Sequence, residues 1–261
     1  MFTLGVVPYL NALPLYRTLE TSGAARLIRA VPSRLAPYLA SGGCDVALIP
    51  IVDHFRGAGA AVISNACIGS NGPVRSVLLF SRVPVTEIKS VAIDTSSHTS
   101  VALLRVILGD GYHVQPAFVD HAPDLHAMLE QHDAALLIGD KALEATEEAT
   151  RVGTAIIDLG AAWTFKLTKK PFVYAAWVTR PGLSAEASEE LAALLSWARD
   201  KGVAHLSELV KNSPVQTRLT PEQVEDYLSH AVDYYLTPAH RAGMEIFRLR
   251  CVKYGLVGPR S

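Results

Sequence analysis

The stretch "TLGVVPYLNALPLYRTLE", residues 3–20, sets the reading of the whole chain. A short apolar run ends in Pro8-Tyr9-Leu10-Asn11, and Leu13, Tyr16 and Leu19 follow at helical spacing. A brief apolar run bounded by proline reads as a buried strand, and the 3–4 spacing as a helix packed by one face. Working outward, "ARLIRAV" (25–31) is a second strand, "PSRLAPYLASGG" (32–43) a helix closed by two glycines, and "CDVALIP" (44–50) a third strand. The order β-α-β-α-β predicts a mostly parallel sheet. The turn at 8–11 is unusual. A plain turn would use glycine, whereas this one carries a phenol and an amide.

The pattern continues with strand-like "AAVISNACIGSNG" (60–72) and "VRSVLLFSR" (74–82), then restarts at "KSVAID" (89–94). A helix is expected over 97–111, a strand over 113–119, a helix over 122–132 and a strand at 133–140 running into "KALEATEEA" (141–149). "TAIIDLG" (154–160) and "KPFVYAAWVTR" (170–180) end the strands, and the rest is helical, with a capping box at Thr220-Pro221-Glu222-Gln223. The class is α/β. We expect two α/β lobes, the second inserted in the first, with residues 1–88 and 179–261 in one and 89–178 in the other, and a ligand cleft between them. A single sheet with C-terminal helices is the alternative.

Bulk properties narrow the function. The 261 residues are 49% hydrophobic and 19% charged, with a formal net charge of −1, so no basic field offers itself to nucleic acid or an anionic membrane. No basic leader with an apolar core opens the chain and no apolar run reaches membrane-spanning length, which leads us to expect a cytoplasmic protein. Three widely spaced cysteines, Cys44, Cys67 and Cys251, read as buried free thiols. The nine histidines lack metal-ligand spacing, and the nucleotide-loop, nucleophile-elbow and zinc-protease motifs are missing. Nucleotide chemistry and metal hydrolysis are therefore disfavoured, and no metal is expected.

Residues just past the strands are the site candidates: Tyr9 and Asn11, Pro50, Ser70 and Asn71, Ser76, the run Thr95–Ser100, and Gly139 with Asp140. Five of the six residues from 95 to 100 carry hydroxyls directly ahead of an amphipathic helix, a pattern suited to a carboxylate or phosphate. One cap needs only one of them. Asn11 and Asp140 read either as helix caps or as pocket groups, and His98 either as a pocket acid or base or as a solvent-facing residue. Phe172 reads either as a cleft wall or as core.

Six ordered blocks, "VPYLNALPL", "DVALIPI", "CIGSNGPVRSVLLFS", "DTSSHTSVALLRVIL", "LLIGDKAL" and "DLGAAWTFKLTKKPFVYAAWV", resemble the chorismate dehydratases of the futalosine route to menaquinone. The resemblance covers Leu4 to about Val178. It implies a two-lobed, type II periplasmic-binding-protein-like fold, a lyase activity on chorismate and no cofactor, the product's aromaticity driving the reaction. A homodimer is left open. The substrate's two carboxylates would be held by Ser97, Thr99 and Ser100 on one side and Ser70, Asn71 and Ser76 on the other. Tyr9, Pro50, Gly139 and Phe172 would shape the pocket, with Asn11, Asp140 and His98 as the catalytic candidates. The sister dihydroxynaphthoate synthases, with a different first turn, resemble this chain less. A solute-binding protein without catalysis is the competing reading.

Overall fold

The computed structural model describes residues 1–94 and 97–259. In chain order the strands are β1 (Thr3–Val6), β2 (Arg26–Arg29), β3 (Val46–Pro50), β4 (Val62–Ser70), β5 (Val77–Ser81), β6 (Ser90–Ile93), β7 (Ala117–Asp120), β8 (Ala134–Ile138), β9 (Ala155–Asp158), β10 (Phe172–Thr179) and β11 (Asp233–Tyr235). They form two sheets, one ordered β11-β4-β10-β3-β1-β2 and the other β7-β6-β8-β5-β9. In the first, β1 runs parallel to β2 and β3, and β10 lies antiparallel between β3 and β4. In the second, β6 runs parallel to β7 and β8, and β5 lies antiparallel between β8 and β9. Each sheet is thus a parallel trio with one reversed strand beside it, the same plan used twice.

The sheets divide the chain differently from the expected boundaries at 88/89 and 178/179. β5 already belongs to the second sheet, and β10 to the first. The cause is burial on both faces: every residue of β5 is buried, and seven of the eight in β10 are. Such strands read as continuous apolar runs without the alternation that would tell which sheet they join.

Packing around the first sheet explains two sequence features. Pro14 sits in the first turn of the helix Leu13–Ser22, where its missing N–H costs nothing, and Leu13, Leu15, Tyr16 and Leu19 are buried. This helix packs on the long helix Ala185–Ala204, where a Cβ at Gly202 would stand 1.9 Å from the Pro14 carbonyl oxygen. Glycine is required there for backbone approach. The capping box forms as read: Thr220 Oγ1 accepts from the Gln223 N–H at 3.3 Å, and Gln223 Oε1 accepts from the Thr220 N–H at 2.8 Å. It starts the helix Pro221–His230, whose inner face buries Val224, Tyr227 and Leu228.

Two contacts join the helix Ile51–Phe55, which follows β3, to the helix His98–Val106, which follows β6. The Val52 N–H donates to Thr99 Oγ1 at 3.3 Å, and His98 Nδ1 lies 2.9 Å from Asp53 Oδ1. Asp53 is buried and the His98 side chain is part-exposed. The Asp53 hydrogen bond raises the His98 pKa, against the effects of burial and Arg56.

Two outcomes are expected. Gly202→Ala should destabilise the fold by about 1–3 kcal/mol through backbone collision, read as a lowered unfolding midpoint. A histidine raised above its unfolded value contributes stability that is complete below the unfolded pKa, near 6.5, and fades as pH climbs through the folded value. His98→Ala should therefore lower the midpoint more at about pH 5.5 than at about pH 9. An equal loss at both would mean that His98 carries no pH-dependent share.

Candidate active site

The C-terminal ends of β1 and β3 in one sheet, and of β6 and β8 in the other, converge on one cavity of about 70 Å³, partly open to solvent. From the first-sheet side come Tyr9, Asn11, Pro50, Ile68 and Tyr174; from the other come Val74, Ser76, Ser97, Ser100 and Gly139. Among the described lining residues none bears a charge. The polar groups are hydroxyls, one amide and backbone N–H groups, set among apolar walls. Among the described residues no three His, Cys, Asp or Glu side chains gather to hold a metal.

Asn11 does not cap the first helix. It lies inside the short 3₁₀ turn Leu10–Ala12, and Ala12 stands at the helix start without a side-chain cap. Its amide instead stands near the Tyr227 hydroxyl. Asn11 Oδ1 is buried and meets no donor among the described residues. Tyr227 donates to Ser76 Oγ at 2.8 Å. Burial drives the Tyr227 phenol well above its ordinary range, and the Ser76 and Asn11 side chains oppose this.

Ser76 is positioned by a clamp. Asp158, at the end of β9, accepts from the N–H of Val74 (3.1 Å), Arg75 (2.6 Å) and Ala161 (3.0 Å). Arg75 is held at φ +63°, a left-handed conformation costly for a residue with a Cβ. Burial raises the Asp158 pKa, while these backbone donors pull it down. The Gly139 N–H closes the turn from the far side, donating to the Ser76 carbonyl at 2.7 Å.

Ser97 caps the helix His98–Val106, its Oγ accepting from the Ser100 N–H at 3.3 Å, and the two hydroxyls lie 3.0 Å apart. Both face the cavity. Thr95 and Ser96 lie outside the described residues.

The other candidates fall elsewhere. His98 is engaged with Asp53, and Thr99 accepts from Val52; neither lines the cavity. Ser70 is fully buried behind the wall, its hydroxyl 3.3 Å from that of Tyr174. Asn71 borders a separate surface recess with Pro73, Leu228 and Tyr235. Phe172 is core, not wall: its ring meets those of Trp163, Tyr174 and Phe247 at 5.1, 4.7 and 4.8 Å. The pairing of β10 with β4 shifts register between Val173 and Ala175, and Phe172 and Ser70 do not follow Tyr174 and Ile68 to the wall; His98 and Thr99 are taken up by the helix Ile51–Phe55. Asp140 stands in the first turn of the helix Gly139–Arg151, within an adjoining recess that also touches Tyr9 and Ile138. Burial, with help from Glu144, pushes its carboxyl up to about 6, opposed by the Leu10 N–H and Lys141.

Tyr174, Tyr227 and Asp158 escaped the sequence reading. Each tyrosine sits within an apolar pattern, where a phenol reads as core; its hydroxyl is the one signal, because a buried phenol needs a partner. At Gly160 a Cβ would lie 2.4 Å from the Gly72 carbonyl oxygen and 2.7 Å from Ser70 Oγ, so only glycine lets this segment close behind Ser70 and Tyr174.

Comparison with known proteins places this geometry in context. The sequence model of a family described as menaquinone biosynthesis matches residues 2–253. A chorismate dehydratase of Thermus thermophilus is 29% identical over 260 residues, covering 94% of this chain and 93% of its own. Among solved structures, protein AF1704 from Archaeoglobus fulgidus superposes with a TM-score of 0.76 at 17% identity, covering 98% of both chains. The periplasmic aliphatic sulphonate binding protein of Escherichia coli gives 0.63 at 16% identity, over 99% of this chain and 94% of that one. The fold is that of the periplasmic binding proteins, and with the match running almost end to end, the chain belongs to the menaquinone biosynthesis family.

Proposed function

We propose that this protein is a chorismate dehydratase, a carbon–oxygen lyase that removes water from chorismate to give 3-[(1-carboxyvinyl)oxy]benzoate. The observation that carries the reading is an uncharged cavity rich in neutral donors, in a chain whose relative of nearly equal length acts on chorismate. We read the two sheet units as lobes that meet around this substrate.

The chemistry suits such a cavity. The C3 hydrogen of chorismate is vinylogous to the ring carboxylate. Its removal sends the C–H electron pair through the diene into that carboxylate. The pair then returns to expel hydroxide from C4, which takes up the proton as water, and the ring becomes aromatic. The site has to hold two carboxylates, stabilise growing charge on one and assist the departing hydroxyl. Ser97, Ser100 and the N–H groups opening their helix suit one carboxylate; Ser76 suits the other. The Asn11 amide, at the cavity wall, orients the C4 hydroxyl. Tyr9 and Pro50 flank the ring.

Among the described residues lining the cavity, none is a base of ordinary strength. His98 is turned to Asp53, and Asp140 occupies the neighbouring recess. The substrate's own enolpyruvyl carboxylate is therefore assigned the C3 proton.

Purified protein mixed with chorismate in plain buffer should yield a product lighter by one water with an aromatic spectrum. Chorismate left intact by folded protein would sink the assignment in favour of a binding protein. Asn11→Ala should lower kcat by about 100-fold, as for loss of one oriented catalytic hydrogen bond, with KM changing by less than about threefold. Asp140 offers a contrast. A base of pKa about 6 would make kcat/KM rise with pH through that value. Since the proton is assigned to the substrate, Asp140→Asn should keep kcat within about threefold and leave the shape of the profile intact. Loss of the acid limb together with activity would hand the role to Asp140.

A further inference from the structure

Ser76 borders the cavity, and the phenol hydrogen-bonded to it lies outside. Tyr227 is 1% exposed and belongs to the capped helix Pro221–His230, 151 residues from Ser76 in sequence. Its phenol can give one hydrogen, and it gives that to Ser76 Oγ at 2.8 Å. Ser76 Oγ thus already accepts, and no acceptor among the described residues takes its own hydrogen.

We propose that Tyr227 is a positioning residue that sets the polarity of the cavity wall, turning Ser76 into a donor for the bound molecule. This rests on the dehydratase reading for its substrate. The row runs Tyr227 O–H to Ser76 O–H to ligand, the second donor strengthened by the bond it receives. A substrate carboxylate then meets Ser76. A serine without the phenol behind it would rotate freely and present lone pairs to a carboxylate as readily as a hydrogen.

The test is Tyr227→Phe, which keeps the ring and removes the hydroxyl. With chorismate, kcat should fall by about 10- to 100-fold, the range for a lost buried hydrogen bond, while circular dichroism stays native. A merely structural role predicts a lower unfolding midpoint with kcat per folded molecule intact, and that result overturns the proposal. Ser76→Ala should cost about as much as Tyr227→Phe, and the double variant no more than the worse single one. Effects that multiply would show that the two act independently, and would also overturn it. Tyr234→Phe, which removes another buried phenol near Tyr227, should leave kcat unchanged and serves as the control. Should Tyr227→Phe fail to fold, Ser76→Ala is read instead: kcat must fall with the midpoint held, and an unchanged kcat in the folded variant overturns the proposal.

The reading of the reaction is judged separately, by wild-type turnover. If the wild type does not convert chorismate, 3-hydroxybenzoate is the probe. It should raise the midpoint of the wild type and clearly less that of Tyr227→Phe. Equal shifts, or no shift in either, overturn the role of Tyr227.

Discussion

The carboxylate of Asp158 is the constraint on which the site depends. Its two oxygens take backbone hydrogens from Val74 and Arg75 on one side and Ala161 on the other, joining the passage into the second sheet to the passage out of it. A half-buried anion bonded this way holds its donors in fixed directions, because leaving any of them unpaired is costly. The strained Arg75 is tolerated since these bonds over-determine it. Ser76, the next residue along, is thereby placed at the cavity wall with its carbonyl bonded by Gly139 and its hydroxyl met by Tyr227. Removing the Asp158 carboxylate would release the turn before it touched any substrate group.

The lack of charge on the cavity wall has an energetic logic. An arginine or lysine would grip a dicarboxylate firmly, but it would do so before and after the reaction alike, and uniform binding adds nothing to kcat. Oriented hydroxyls and N–H groups in an apolar setting respond more strongly to charge that concentrates on one carboxylate as the C3 proton leaves. They also need no rearrangement at that moment. The same setting explains why the nearby phenols and carboxyls are shifted towards their neutral forms: burial disfavours charge on Tyr227 and on Asp140.

Much of this was legible in the sequence, and the failures have a common physical origin. The strands and helices arise from apolar runs and punctuation, so the residues after β1, β3, β6 and β8 could be named as candidates; Tyr9, Asn11, Pro50, Ser76, Ser97, Ser100 and Gly139 do border one cavity. What failed was direction. Neighbours of those residues, such as Thr99, Asn71 and Phe172, point into helix contacts, an outer recess or the core, and contacts with distant parts of the chain decide which. The capping box was plain as a helix start, yet nothing local says that its helix delivers a phenol to a wall built more than a hundred residues earlier. Long-range contacts of this kind leave no periodic trace.

The reversed strand β10 bears on how the protein comes into being. It lies in the middle of the first sheet, between β3 and β4, yet it is synthesised only after the whole second sheet, whose strands run without interruption from residue 77 to 158. On the ribosome, then, the unit that begins later is the one that can close first. Until residue 179 has emerged, β3 and β4 each keep a row of unpaired backbone groups along the edge where β10 will sit, an invitation to pairing with another chain. The first half of the molecule waits on the second, so its assembly carries the slow, non-local character of a sheet completed from a distance.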